Sequence, residues 1–308
     1  MSKYKIILNP AAGRGTVRSK VSTIEQALRD FGLEFDISYT KEPGHAIEMA
    51  KQAAQSSAEV VVAAGGDGTA NEVINGLMQA KREGTEIPSM GVICIGRGND
   101  FAFSMGIPTE LDESLRVLAE DHRKNIDVGH VIGGDYPNGR YFGNCIGVGF
   151  DAEVGFVAAR LRPLSGFLNY IIAAILTDFV YFKAPRVRLE YDSEVKEMTS
   201  LMVSIMNGIR LGGGFYMTPD AIIDDGLFDI CLAHDPNRLR VLTLLPHFMK
   251  GTQASQPEIE IFRAAKVTLT ALEGKLPAHV DGETLCVAGD RVEVDLLPGE
   301  LEFICQKK

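Results

Sequence analysis

One aspartate stands among glycines in Gly65-Gly66-Asp67-Gly68-Thr69, preceded by the apolar run 60–64 and followed by Asn71-Glu72. Glycines let a chain bring backbone N–H groups close to a bound anion. A helix that begins at such a turn aims further N–H groups at the same place. A carboxylate among those groups would repel a phosphate unless a cation lies between, so the spacing points to a metal–phosphate complex. A second glycine-rich turn, Gly96-Arg97-Gly98-Asn99-Asp100, also closes on an aspartate, and further carboxylates stand at Asp127 and in Val280-Asp281-Gly282-Glu283. Carboxylates gathered in one cleft suit Mg2+, which prefers oxygen and keeps several waters. Mg2+ with nucleotide phosphates is the setting of phosphoryl transfer, and a carboxylate beyond the phosphates can take the proton of an attacking hydroxyl. Singly, each aspartate also reads as a turn or helix-cap residue; the case rests on the set.

Those residues need elements to place them. The short run 60–64, rich in β-branched residues, reads as a strand buried on both faces. The helix expected over 70–82 has Val73, Ile74, Leu77 and Met78 on one side. Asp67 then lies at the carboxyl end of a parallel strand, where ligands bind in open α/β sheets. Upstream, a strand over 4–8 leads into Asn9-Pro10-Ala11-Ala12-Gly13, and a helix marked by Val21, Ile24, Leu28 and Phe31 is closed by Gly32. A half-buried strand over 33–39 and a helix over about 45–56 follow. Downstream, strand 91–95 feeds the second glycine-rich turn, and Leu111, Leu115 and Leu118 mark another helix. Strands alternating with helices predict an α/β domain with a mainly parallel sheet.

Near residue 125 the pattern changes. Strands are expected over 126–132, 141–150, 187–191, 201–206, 227–233, 259–271, 276–280, 291–297 and 301–305, with helices over about 165–183 and 237–250. Turn signals between them predict an antiparallel β-sandwich. The expected domains are 1–127 and 128–308.

Composition narrows the function. Among 308 residues, a formal net charge of −10 argues against a nucleic-acid partner, which needs a basic face. The five cysteines are dispersed and odd in number and the six histidines lack ligand spacing, so buried thiols in a reducing compartment are expected rather than a metal cluster. Neither a Gly-x-x-x-x-Gly-Lys-Ser/Thr loop nor a His-Arg-Asp loop occurs, and Gly96-x-Gly98 has no third glycine. The most apolar stretch, 167–182, is interrupted by Asn169, Thr177 and Asp178 and falls short of the roughly 20 apolar residues of a spanning helix. With no signal peptide visible, the chain is expected to be cytoplasmic, with no transmembrane segment and at most peripheral membrane contact.

The residues quoted above, in this order, resemble the bacterial diacylglycerol kinase family, which includes sphingosine and ceramide kinases and is distantly related to NAD kinases. The likeness extends through Asn9-Pro10, Gly149-Phe150-Asp151-Ala152, Gly212-Gly213-Gly214-Phe215 with Pro219, and Asp224-Asp225-Gly226-Leu227-Phe228-Asp229. It implies an ATP-dependent lipid kinase with a nucleotide-binding domain over 1–127 and a β-sandwich lipid-substrate domain over 128–308. It places the nucleotide on Asn9, Pro10, Ala11, Ala12, Gly13, Thr40, Gly65, Gly66, Asp67, Gly68, Thr69 and Glu72. Asp67, Asp100, Asp127 and Asp281 become a network holding catalytic Mg2+ through water, and Glu283 the usual proton acceptor. Asp225, with the carbonyls of Ile222 and Leu227, resembles the family's structural Mg2+ site; alone, Asp224-Asp225-Gly226 reads as a β-turn. Arg97 stands where the family usually has threonine, which trades a hydroxyl for a cation able to meet phosphate.

The substrate is less legible. Arg160-Leu161-Arg162-Pro163 precedes a helix carrying Phe167, Leu168, Tyr170, Ile171, Ile172, Ile175, Leu176, Phe179 and Val180. It reads first as a core helix bridging the domains and second as the wall of a lipid groove or a segment dipping into a membrane surface. Diacylglycerol, giving phosphatidic acid, is the expected lipid substrate. The alternatives are a sphingoid base or ceramide, a soluble NAD-kinase-like substrate and, last, a nucleotide-binding regulator. A homodimer is an open possibility.

Overall fold

The computed structural model describes residues 3–15, 17–161 and 167–307. Its contacts divide the chain into two units: one runs up to Ile126 and resumes at Gly299, the other is Asp127–Pro298.

The first unit contains β1 (Tyr4–Leu8), α1 (Val17–Asp30), β2 (Phe35–Tyr39), α2 (His45–Ala54), β3 (Val60–Gly65), α3 (Asp67–Arg82), β4 (Ser89–Cys94), α4 (Asp100–Ser104) and α5 (Leu111–Glu120). The strands lie in the order β2-β1-β3-β4, all parallel. Every residue of β3 and β4 is buried, which explains their unbroken apolar runs, whereas β2 at the edge keeps Asp36 and Tyr39 exposed. The chain passes from β1 out to β2, then returns to the other side of β1 with β3. The order therefore reverses between β1 and β3, and such a switch point opens a crevice beyond the strands' carboxyl ends. The turns that leave β1 and β3 are the Asn9 and Asp67 turns. Helix α3 starts three residues earlier than its apolar spacing suggested and buries Val73, Ile74, Leu77 and Met78. The short α4 carries no periodic signal and was not expected.

The second unit begins within β5 (Arg123–Gly133) and continues through β6 (Tyr136–Phe142), β7 (Cys145–Gly149), α6 (Phe150–Arg160), α7 (Phe167–Leu176), β8 (Arg186–Tyr191) and β9 (Glu194–Met206). Then come β10 (Arg210–Leu211), β11 (Phe215–Tyr216), β12 (Phe228–His234), α8 (Arg238–Lys250), β13 (Ile259–Ala264), β14 (Lys266–Glu273), β15 (Leu276–Val280), β16 (Glu283–Gly289) and β17 (Arg291–Ile304). These strands form an antiparallel sandwich in the order β16-β15-β7-β9-β8-β14-β17, with β12 on β9 and β13 on β12. The long β9 serves two environments. Its first half alternates exposed and half-buried residues beside β8, while its second half is wholly buried between β7 and β12. There Val203 and Ile205 join one apolar core and Met202 and Met206 a second, as the period of two requires.

Several expectations change. The single strand over 141–150 is two strands, broken at Gly143-Asn144, and 259–271 breaks at Ala265. Two expected strands, 291–297 and 301–305, are one, with Gly299 in the left-handed region at φ +62°. Helix α6 and strand β16 were not expected: the run from Val148 to Ala158 is so dense in apolar residues that strand and helix periods overlap. The end of β17 belongs to the first unit, where Phe303 pairs with Met90 of β4 in parallel and meets Phe101 edge-on at 5.3 Å. Helix α7 starts at Phe167, and Arg162, Pro163 and Ser165 lie outside the described residues. In α7 Ala173 and Ala174 are buried and Ile175 is exposed, as are Phe179 and Val180 in the π-helical turn Thr177–Tyr181 that follows. Among the described residues no helix is long and apolar enough to cross a membrane, and all five cysteines are buried and free.

Candidate active site

In the first unit the glycine-rich crevice is built from three turns. Asn9 follows β1; its side-chain oxygen accepts the Ala11 N–H at 2.9 Å, and its amide donates to Thr69 Oγ1 at 3.1 Å. That second bond ties the Asn9-to-Gly13 loop to the Gly65-to-Thr69 loop across the switch point. Ile95 and Gly96 donate their N–H groups to the Gly65 carbonyl at 3.0 and 2.9 Å, fastening the third turn to the second. The glycines are steric requirements of these turns. A Cβ on Gly65 would lie 2.3 Å from Thr69 Oγ1, and one on Gly96 would lie 2.4 Å from the Gly66 Cα.

Asp67 opens α3, and its Oδ1 accepts the Phe101 N–H of α4 at 3.0 Å. Asp100 opens α4 and is buried. Gly98 sits between the two carboxylates: a Cβ there would lie 3.1 Å from Asp67 Oδ2 and 3.3 Å from Asp100 Oδ2. The pair expected to share one crevice therefore does so, because β3 and β4 are parallel neighbours. No side-chain acceptor caps α3 at Gly66, and Arg97 is exposed at the tip of the third turn. Burial pushes the Cys94 thiol, at the end of β4, up to about 12, and the Asp67 charge adds to this. That thiol is inert at neutral pH.

Two residues assigned to nucleotide have further work. Glu72 accepts the N–H groups of Gly44 and Ala46 at 2.8 and 3.0 Å. It thereby supplies the N-terminal acceptor that α2 lacks, since Gly44 has no side chain. Thr40, half-buried, donates its N–H to the Leu8 carbonyl at 3.0 Å.

The remaining acids belong to the second unit. Asp127 is buried; its Oδ2 accepts the Gly226 N–H at 2.8 Å, and its own N–H reaches the Ile223 carbonyl at 2.8 Å. Asn207, which the sequence reading passed over, donates to the carbonyls of Asp127 and Gly143 at 3.0 and 2.9 Å. Asp281 and Gly282 form a two-residue hairpin between β15 and β16, both at positive φ (+47° and +85°), the conformation that Asp-Gly favours. The Asp281 carboxylate accepts the N–H groups of Gly143, Asn144 and Cys145 at 3.0, 3.0 and 2.8 Å. These bonds end β6 and start β7. Glu283, one residue past the hairpin, is exposed.

Behind the hairpin lies a polar cluster the sequence did not suggest. His279 Nδ1 accepts the Gly282 N–H at 3.3 Å, and Ser204 donates to Asp151 Oδ2 at 2.6 Å. Burial pushes the Asp151 carboxyl up, and the neighbouring His279 ring and Ser204 hydroxyl pull it back. At the Asp225 turn, Oδ1 accepts the Leu227 N–H at 3.2 Å and Oδ2 is paired with the Arg263 guanidinium, while Ile222 is half exposed. Among the described residues no three His, Cys, Asp or Glu side chains are arranged to bind a metal directly.

Residues 3–131 match the diacylglycerol kinase catalytic domain, and residues 144–305 match the YegS C-terminal NAD kinase beta sandwich-like domain. A diacylglycerol kinase of Bacillus subtilis (strain 168) is 30% identical over 92% of this chain and 90% of its own length. A diacylglycerol kinase structure from Bacillus anthracis str. Sterne superposes with a TM-score of 0.74 at 24% identity, covering 99% of this chain and 97% of that one. An NAD kinase from Archaeoglobus fulgidus in complex with ATP shares the fold, with a TM-score of 0.53 at 14% identity over 99% of this chain and 94% of its own. The α/β unit with its tethered glycine-rich turns, the antiparallel sandwich and these matches agree: the chain belongs to the diacylglycerol kinase family and is a lipid kinase.

Proposed function

We propose that the chain transfers the γ-phosphoryl group of ATP to the free hydroxyl of diacylglycerol, giving phosphatidic acid, at a membrane surface. The observation that carries the reading is the tethered crevice of the first unit, with Asp67 and Asp100 flanking Gly98. The nucleotide would lie on Asn9, Pro10, Ala11, Ala12, Gly13, Thr40, the Gly65-to-Thr69 turn and Glu72, with Arg97 added from the third turn. The hard oxygen donors of Asp67 and Asp100 fit Mg2+ held through water, which would neutralise phosphate charge there and orient the triphosphate. Glu283, exposed on its hairpin, takes the proton of the lipid hydroxyl.

The Asp225 turn does not fit a second Mg2+ as it stands. A cation there would displace the Arg263 guanidinium from one oxygen, while the other already accepts an N–H. The chelator EDTA is therefore expected to shift the melting temperature by less than about 2 °C. A drop of many degrees that Mg2+ reverses would restore the cation.

Membrane contact is assigned to one edge of the second unit. Arg238, whose neighbour Leu239 is exposed, donates to the carbonyl of Phe179, which is exposed as are Ile175 and Val180. An apolar edge beside arginine suits an anionic surface.

The test is transfer of labelled phosphate from ATP to diacylglycerol, sphingosine, ceramide and NAD in mixed micelles. Diacylglycerol is expected to exceed each of the others by about tenfold or more. Preferred labelling of NAD would move the reading to the soluble class.

A further inference from the structure

The polar cluster behind the hairpin is built from three elements of the second unit. Ser204 lies on β9 and is fully buried, Asp151 stands at the start of α6, and His279 is buried on β15, two residues before the hairpin. Ser204 faces the side of β9 shared by Met202 and Met206, where a hydroxyl among apolar neighbours needs an acceptor; Asp151 Oδ2 provides it at 2.6 Å. The other oxygen, Oδ1, accepts the Ala152 N–H at 2.8 Å. Gly147 of β7 makes room for the meeting. A Cβ there would fall 2.3 Å from His279 Nε2 and 2.5 Å from Asp151 Oδ2, so the two groups close over a glycine that only a hydrogen can occupy.

The ring's orientation follows. Nδ1 accepts the Gly282 N–H at 3.3 Å, which leaves Nε2 on the Asp151 side of the ring. The ring thus lies between the buried Ser204–Asp151 pair and a backbone N–H of the hairpin. Asp281 anchors the same hairpin from its other residue through three N–H bonds to 143–145. Two anchors on a two-residue turn define the direction in which the next residue leaves it, and the next residue is Glu283.

We propose that His279 is a positioning residue: its Nδ1, with the ring packed beside Asp151, holds the Gly282 N–H and so sets where Glu283 presents its carboxylate. The proposal rests on the reading that Glu283 receives the lipid hydroxyl proton. A carboxylate misplaced by a fraction of an ångström to an ångström loses much of its effect on rate without changing what the nucleotide touches.

The test uses the full chain with ATP and diacylglycerol in mixed micelles. His279→Ala is expected to lower kcat about tenfold, with the KM for ATP unchanged and the Gly282 amide exchanging its hydrogen faster. His279→Asn, whose Oδ1 can take the place of Nδ1, is expected to recover most of the loss. Gly147→Ala drives a methyl between His279 and Asp151 and should reproduce the His279→Ala profile. In a Glu283→Gln background His279→Ala should cost nothing further, because both act through one group. Equal tenfold losses in both backgrounds, or an unchanged Gly282 exchange rate, would overturn the proposal. If Glu283→Gln alone keeps full turnover, the acceptor reading fails first. Faster Gly282 exchange in His279→Ala would then show the anchor to be real and its catalytic half overturned.

Discussion

Asp67→Asn is expected to lower phosphoryl transfer by about 10³-fold while leaving the melting temperature within about 2 °C of the parent. The size follows from the role. A carboxylate that holds a metal against phosphates contributes several kcal/mol to the transition state, and each 1.36 kcal/mol is tenfold in rate. The choice of asparagine follows from the structure. Asp67 Oδ1 accepts the Phe101 N–H at 3.0 Å, and an amide oxygen can keep that bond while the charge is lost. Alanine would also release the start of α4, so a loss of activity in Asp67→Ala would mix metal and scaffold effects. Turnover across a Mg2+ titration, beside a thermal melt, is the measurement. A variant with near-normal turnover at all Mg2+ concentrations would end the metal-bridge argument.

The second large effect separates the two acids of the hairpin. Glu283→Gln keeps the shape and removes the base, and is expected to cut transfer by about 10²-fold with ATP affinity by calorimetry and the melting temperature both nearly unchanged. Asp281→Asn is expected to fail differently. Its Oδ1 can still accept from Asn144 and Cys145, but its new N–H2 faces the Gly143 N–H, donor against donor. A buried N–H left without an acceptor costs about 1–3 kcal/mol, which for a unit of this size lowers the melting temperature by several degrees. Activity should fall with it, because β6, β7 and the hairpin lose their common anchor. Equal loss of ATP affinity in both variants would place the hairpin in the nucleotide pocket and remove the acceptor assignment.

Much of this architecture was legible in the sequence because its signals are local. The apolar runs of β3 and β4 report strands covered on both faces, and the glycines after them report where the backbone must come close to something. Gly32, at φ +71°, closes α1 as its position predicted, and the Asn at 237 caps α8 by accepting the Arg240 N–H at 3.0 Å. Asp281-Gly282 carries a hairpin signal in the two residues themselves, although β16 after it escaped notice. Each of these rests on a preference expressed within a few residues.

What tertiary structure alone decided is where side chains reach across tens of residues. That Glu72 also supplies the acceptor for the N-terminus of α2 is known only once α2 is packed beside α3. That Asp281 also accepts the N–H groups of 143–145 is known only once β15 is paired with β7. His279, Asp151 and Ser204 come from three elements and are separated by 53 residues in the nearest linked pair. The end of β17 joins the first unit's sheet, pairing Phe303 with Met90, although no composition shift marks the crossing at Gly299. The physical reason is common to all four. A hydrogen bond's worth depends on which buried donor would otherwise go unsatisfied, and that is known only once strand order and register are set.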